Sequence, residues 1–414
     1  MNFPRMTLAL VLLLPIGARV EAAQWVATWG AAPVPPTKAL GPFPATPAFN
    51  NQTIRQLVRI SAGGDRVRVR LTNEYGTKPL AIGDARIALA GADGEIVAGT
   101  VRQLNFTGRT EAVIPAGAPL LSDPVALPVT ALSTLAISLY LPEDTGACTC
   151  HPTGLQTAWV SGPGNFVDKA FPAKQEMQSR AFLSGVEVET TAPAAAIAVL
   201  GDSISDGMGS TVDANRRWPD LLAERLVERD GGRAAWGVVN LGISGNRLLH
   251  DGAAQGALAR FDRDVLSQPG VKYLVVFIGV NDLGTSYGEP GGPMAEVFRS
   301  LRPASPVTVE AMIAGYRQLI ERGRAHGLTV VGATIAPYEG ALYYSPQGEA
   351  VRRAINDWIR SGKSFDAVLD FDAAIRDPAR PTQIADGWHN GDHLHGSDAG
   401  YRTLAAAIDL SLFR

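Results

Sequence analysis

Three side chains in this 414-residue chain stand where nucleophilic catalysis would need them. Ser203 closes the run Ala194-Ala195-Ala196-Ile197-Ala198-Val199-Leu200-Gly201-Asp202-Ser203, in which an apolar stretch stops abruptly at a turn. Asp392 and His395 lie far downstream in Asp392-His393-Leu394-His395. A hydroxyl that attacks an acyl carbon needs a base, the base needs a partner that fixes its tautomer, and the developing oxyanion needs fixed donors. A single turn brings the Asp392 carboxylate to Nδ1 of His395 and leaves Nε2 to face Ser203. Donors come from the backbone N–H of Ser203, a backbone N–H at Gly245 and the side-chain amide of Asn281. Gly245 lies in Asn240-Leu241-Gly242-Ile243-Ser244-Gly245-Asn246, and Asn281 in Gly279-Val280-Asn281-Asp282. A glycine at 245 lets the chain approach a substrate with no Cβ in the way.

These blocks need a scaffold that gathers them, and the pattern after residue 195 supplies one. Strand-like runs alternate with amphipathic segments: 197–200 then 218–228, 238–241 then 256–266, 273–278 then 309–326, 329–336 then 348–361, and 367–371 then 397–412. Five such units predict an α/β domain over 195–414, with a five-stranded, mostly parallel sheet covered by helices on both faces. Ligands bind such sheets at the carboxyl ends of their strands, where three of the four blocks fall. Residues 23–190 read differently. Val67-Arg68-Val69-Arg70-Leu71 alternates apolar and charged, as a half-buried strand does, and 135–141 is similar. Further strands are expected at 24–29, 54–62, 85–90, 96–106, 110–114 and 182–190. Short strands punctuated by Gly and Pro (44 and 28 in the chain) predict a β-sandwich domain, jelly-roll-like. Residues 190–194 form the linker.

Composition bounds the partners. A net charge of −3 leaves no basic footprint for nucleic acid. At the N-terminus a positive start, an apolar stretch from Leu8 to Ile16 and the small residues of Val20-Glu21-Ala22 read as a signal peptide over 1–22, too short to span a bilayer. A secreted or periplasmic protein with no stable membrane insertion is expected. The only cysteines, in Cys148-Thr149-Cys150, are read as a structural loop. A bridge across one residue is uncommon, though export allows it, and with His151 they make a poor metal site.

The four blocks, in order, resemble the SGNH (GDSL-type) hydrolases: the motif letters fall on Ser203, Gly245, Asn281 and His395, with Asp392 in the family's Asp-x-x-His. The resemblance covers roughly 195–414. It implies a flavodoxin-like three-layer fold, no metal or other cofactor, and hydrolysis of carboxylic esters through an acyl-enzyme. Ile204 replaces the Leu of the family name, and Gly396 stands where many members have Pro. The layout of a sandwich before such a domain is similar to that of some exported carbohydrate esterases. The expected substrate is a small acyl ester or acylated glycan, with acetyl groups on carbohydrate preferred. A lysophospholipase or broad arylesterase is the alternative and would need an apolar groove, to which Leu342-Tyr343-Tyr344 could contribute. A glycan-binding protein with an inert hydrolase domain is the reading from another class.

Other features are read as structural. Gly284-Thr285-Ser286-Tyr287-Gly288 matches the G-x-S-x-G elbow but lacks the strand before it and the prompt helix after it, so a flexible loop lining the cleft is expected. His389, Asp392, His393 and His395 are crowded for a metal site. Asp202 and Asp206 are read as members of the turn, Asp282 as orienting its loop, and Asn246 and Arg247 as possible substrate contacts. His250 and His326 are assigned to structure. His151 is the one residue of the first half that could reach over the site, although a satisfied loop histidine is the preferred reading.

Overall fold

The computed structural model describes residues 23–414 apart from 40–43, 92–93, 169–170 and 233–234. The signal peptide expected at 1–22 lies outside the described residues.

In the C-terminal half, five parallel strands stand in the spatial order Trp236–Asn240, Ala195–Gly201, Val271–Phe277, Thr329–Ala333, Ala367–Leu369. The order 2-1-3-4-5 puts the reversal of winding beside the Ala195–Gly201 strand, the usual place for a ligand site. Residues Ala196 to Leu200 are wholly buried, as an apolar run in a doubly covered sheet must be. Helices Trp218–Arg229, Phe371–Ile375 and Asp398–Ala406 pack together, and Ala257–Phe261, Val309–Ala325 and Pro346–Ser361 form a second group. Right-handed crossovers demand two groups when winding reverses.

Local chemistry sets the helix ends. Pro219 fixes the first turn of Trp218–Arg229, and the Ser345 hydroxyl caps Pro346–Ser361 by accepting the Gly348 N–H. The segment 256–266 is not one helix: a π turn, Asp262–Leu266, follows the α turn Ala257–Phe261. The segment 397–412 likewise ends its α-helix at Ala406 and closes with a 3-10 turn, Leu410–Leu412. The flexible loop expected around Ser286 is wrong. Val280–Tyr287 is a helix, anchored by buried Val280 and Leu283, and the Ser286 hydroxyl accepts the Val307 N–H at 3.2 Å. Pro293 does not prevent the next helix, Met294–Leu301, because it sits just ahead of it, where no N–H is needed.

The N-terminal half is antiparallel. One sheet holds Gln24–Gly30, Leu183–Thr190, Gly64–Thr72 and Pro119–Leu121, with Val125–Val129 also on Gly64–Thr72. The other runs Ala173–Met177, Ala158–Pro163, Gln52–Arg59, Thr134–Leu141, Asp84–Leu89, Arg102–Gln103. Val67, Val69 and Val186 of the first share a core with Ile54, Ile87 and Ile137 of the second. The strand expected over 96–106 shrinks to Arg102–Gln103, because Gly99 turns the chain at a φ of 79°.

The Gln24–Gly30 strand serves both halves. Trp29 is buried in the N-terminal core, whereas Val26 and Ala27 belong to the C-terminal one. The Ala27 N–H donates to Pro269 O at 2.9 Å. Gly237 meets this strand so closely that a Cβ would lie 1.9 Å from Ala27 O. Cys148 and Cys150 form a disulfide, buried in the N-terminal core. Beside it the short strand Cys150–His151 pairs with Arg180–Ala181.

Candidate active site

The site forms at the carboxyl ends of three adjacent strands. Ser203 follows Ala195–Gly201 and opens the turn Ser203–Asp206, so its own N–H has no partner within that turn. The Asp202 carboxylate caps the turn by accepting the Ile204 N–H at 3.0 Å. Burial pushes Asp202 up to about 7 against that hydrogen bond, and the carboxylates of Asp282 and Asp206 add to the rise.

His395 Nε2 lies 2.8 Å from Ser203 Oγ, and Nδ1 lies 2.6 Å from Asp392 Oδ2. The other Asp392 oxygen accepts the N–H groups of Leu394 and His395 at 2.9 and 2.8 Å. One carboxylate therefore shapes the turn and orients the ring it carries. Partial burial opposes ionisation of Asp392, yet the hydrogen bond and charge of His395, with those N–H groups, draw it down to about 2.

Asn281 opens the Val280–Tyr287 helix, and its amide is held at both ends. Nδ2 donates to Asn246 O at 3.0 Å, while Oδ1 accepts the Tyr343 hydroxyl at 3.3 Å. An amide nitrogen carries two hydrogens, so one is left for a ligand. Gly245 has a φ of 77°, and a Cβ there would meet only Ala253 Cβ, at 3.6 Å. Within the protein the requirement for glycine is thus one of backbone conformation rather than of crowding. The preceding Ser244 donates both its N–H and its hydroxyl to Asp206 Oδ2, at 3.0 and 2.8 Å.

Asp206 is a turn member as expected, with further partners described below. Asp282 accepts the N–H groups of Leu248 and Leu249 at 2.7 and 3.1 Å, and burial pushes it up to about 6. Asn246 and Arg247, read as substrate contacts, are both buried and engaged inside the protein. Asn246 donates to Gln255 O at 2.8 Å and accepts from Arg260, and Arg247 donates to Leu301 O at 2.6 Å and to Thr285. His389 accepts the Gly391 N–H, and its ring lies tilted by 33° against that of His393 with centroids 4.2 Å apart. Among the described residues no group of three or more His, Cys, Asp or Glu is placed to hold a metal.

Two supports escaped the sequence reading. Arg260 is wholly buried, and its guanidinium reaches Gly201 O (3.0 Å), Leu241 O (2.8 Å), Asn246 Oδ1 (3.0 Å) and Asp264 (2.9 Å). It ties the ends of two strands to the loop that carries Gly245; only its spacing of four from Asp264 hinted at this. Tyr343 is buried against Phe298 and Tyr338 and turned towards Asn281, so it supports that amide instead of opening an acyl groove. No sequence pattern links the two positions.

Residues 199–403 match the GDSL-like Lipase/Acylhydrolase family, and this part of the chain is a hydrolase domain of that family, also called SGNH. Similar solved structures include a lipolytic protein of the G-D-S-L family from Desulfitobacterium hafniense (19% identity, covering 51% of this chain and 96% of that one, TM-score 0.37). A lipase/acylhydrolase from Enterococcus faecalis is 19% identical over 52% of this chain and 93% of its own, with a TM-score of 0.37. A variant acetyl xylan esterase from Geobacillus stearothermophilus is 21% identical over 52% of this chain and 94% of its own, with a TM-score of 0.38. Among curated proteins none matches the chain.

Proposed function

We propose that the protein is a serine-dependent carboxylic ester hydrolase acting through an acyl-enzyme, and that it removes short acyl groups, acetyl above all, from carbohydrate. The observation that carries the reaction is the continuous relay from Asp392 through His395 to Ser203, at 2.6 and 2.8 Å. Ser203 Oγ attacks the acyl carbon as His395 Nε2 takes its proton, and Asp392 holds the imidazolium that results. The N–H groups of Ser203 and Gly245 and the free amide hydrogen of Asn281 receive the oxyanion. His395 returns the proton to the leaving alcohol, and water then repeats the sequence on the acyl-serine.

A short acyl group is supported by the enclosure of the site. Ser203 and Asn281 are 4% and 8% exposed, and Tyr343 fills the space beside the amide. A glycan alcohol is supported by layout, since the β-rich half, read as a sandwich, reaches the turn that carries Ser203. The leader read at 1–22 makes the mature protein secreted or periplasmic, in keeping with its disulfide. No helix among the described residues is long and apolar enough to cross a membrane.

The test is a chain-length series of p-nitrophenyl esters run beside acetylated xylan and pectin. Acetate release from polysaccharide, and rates falling beyond butyrate, are expected; a preference for long acyl chains would favour the lysophospholipase reading. Ser203→Ala must abolish turnover with the fold intact, and retained activity would overturn the mechanism.

A further inference from the structure

The loop that carries Gly245 is gripped from the other half of the molecule. Asp206, three residues beyond Ser203, is 3% exposed and bonds in two directions. Oδ2 takes both donors of Ser244, and Oδ1 lies 2.9 Å from Nε2 of His151. His151 belongs to the Cys150–His151 strand of the N-terminal half and is 5% exposed. Its Nδ1 lies 2.9 Å from Ala32 O. A carbonyl oxygen and an ionised carboxylate can only accept, so a ring bonded to both carries a proton on each nitrogen. Thr153, from the same half, donates its hydroxyl to Ser244 Oγ at 3.0 Å.

Arg180 of the Arg180–Ala181 strand, Arg59, paired with Glu224, and Arg217, paired with Asp220, line the same small interfacial cavity of about 30 Å³ as His151 and Asp206. Burial and Arg180 push the His151 imidazole down, but the charge and hydrogen bond of Asp206 and the Ala32 carbonyl outweigh them, leaving it above its ordinary value. A buried ion pair of this kind is weak as a source of stability, because desolvating both charges offsets most of their attraction. What it supplies is a fixed geometry, and what it fixes is the residue before Gly245.

We propose that His151 is a positioning residue for ester hydrolysis: as an imidazolium held against Asp206, it sets the Ser244–Gly245 segment so that the Gly245 N–H points at the oxyanion. The proposal rests on the acyl-enzyme reading above. It makes the N-terminal half part of the catalytic apparatus rather than a neighbour of it.

The experiment uses the full chain and p-nitrophenyl acetate. His151→Gln keeps a donor towards Asp206 without the charge, His151→Leu removes both, and Ser244→Ala removes the hydroxyl link. Assays run at least 20 °C below each variant's own Tm separate positioning from folding. Since losing an oxyanion donor costs about 10²–10³ in kcat, a displaced one is expected to cost about 10–100-fold, with KM within about threefold. His151→Gln should lie between the parent and His151→Leu. The double variant His151→Leu, Ser244→Ala should be no slower than the slower single variant, because both act through one segment. A kcat within twofold of the parent for folded His151→Leu, or a loss confined to KM, overturns the proposal. If the His151 variants do not fold, Ser244→Ala decides alone, and an unchanged kcat overturns it. A parallel Ser203→Ala arm separates the two readings: activity there refutes the nucleophile whatever the His151 variants do.

Discussion

In the proposed mechanism Asn281 acts through a side chain whose neighbours decide which way its amide faces. Asn281→Ala should lower kcat by about 10²–10³ while KM and Tm change little. Tyr343→Phe, which removes only the hydroxyl on Oδ1, should lower kcat by a smaller factor. Steady-state kinetics beside thermal melts check both, and loss of folding in Asn281→Ala would mark a structural residue instead. Asn281 could be singled out in the sequence because the proposed reaction restricts the residue type. Tyr343 was not, because a hydroxyl 62 positions away meets it only through the fold. Asp202 adds a pH effect. With a folded value of about 7 and an ordinary value of about 4, the folded chain keeps a proton that the unfolded chain has lost. Its contribution to stability therefore falls as pH rises from about 4 through about 7. Asp202→Asn retains an acceptor for the Ile204 N–H, so its Tm should gain on the parent across that window. Parallel Tm profiles would contradict this.

Arg260 shows how much of the site depends on elements rather than on motifs. Its guanidinium holds two strand ends and the Gly245 loop, so Arg260→Met leaves Asp264 buried without this partner and Leu241 O and Asn246 Oδ1 unsatisfied, while Gly201 O keeps the Ile243 N–H at 3.2 Å. A loss of about 3–5 kcal/mol in denaturant unfolding is expected, with activity falling in step. The strand–helix alternation was readable because apolar runs and amphipathic periods are local. The break at Asp262 and the helix around Ser286 were not, since both depend on what packs against them. The disulfide belongs to this scale too. A loop this short yields about 1–2 kcal/mol by chain entropy, but the bridge holds the strand that presents His151. Replacing both cysteines by Ser should therefore lower kcat more than the small change in Tm would suggest, as kinetics and melts on the same samples would show.

At the scale of the whole molecule, direct contacts join the two halves. Arg59 pairs with Glu224 at 2.8 Å, Tyr75 donates to Gln255 at 2.9 Å, and His151 and Thr153 reach the site. Residues 195–414 expressed alone should hydrolyse p-nitrophenyl acetate far more slowly than the full chain, and an equal rate would deny the first half any role in the chemistry. The composition made two regions visible but not their shared strand, because Gln24–Gly30 looks like any first strand until Val26 and Ala27 are seen in one core and Trp29 in the other. That strand also acts as a guard. Trp236–Asn240 is the outermost member of the parallel sheet, and the Val238 N–H is spent on Ser61 Oγ at 2.7 Å while Ala27 lies against Gly237. A chain clipped behind Gly30 would uncover the edge beside Gly237 and leave the Leu183–Thr190 strand without its antiparallel partner, open to pairing with another copy. Proteolytic removal of the residues up to Gly30 should therefore be felt first as clumping in solution, before any weakening of the reaction.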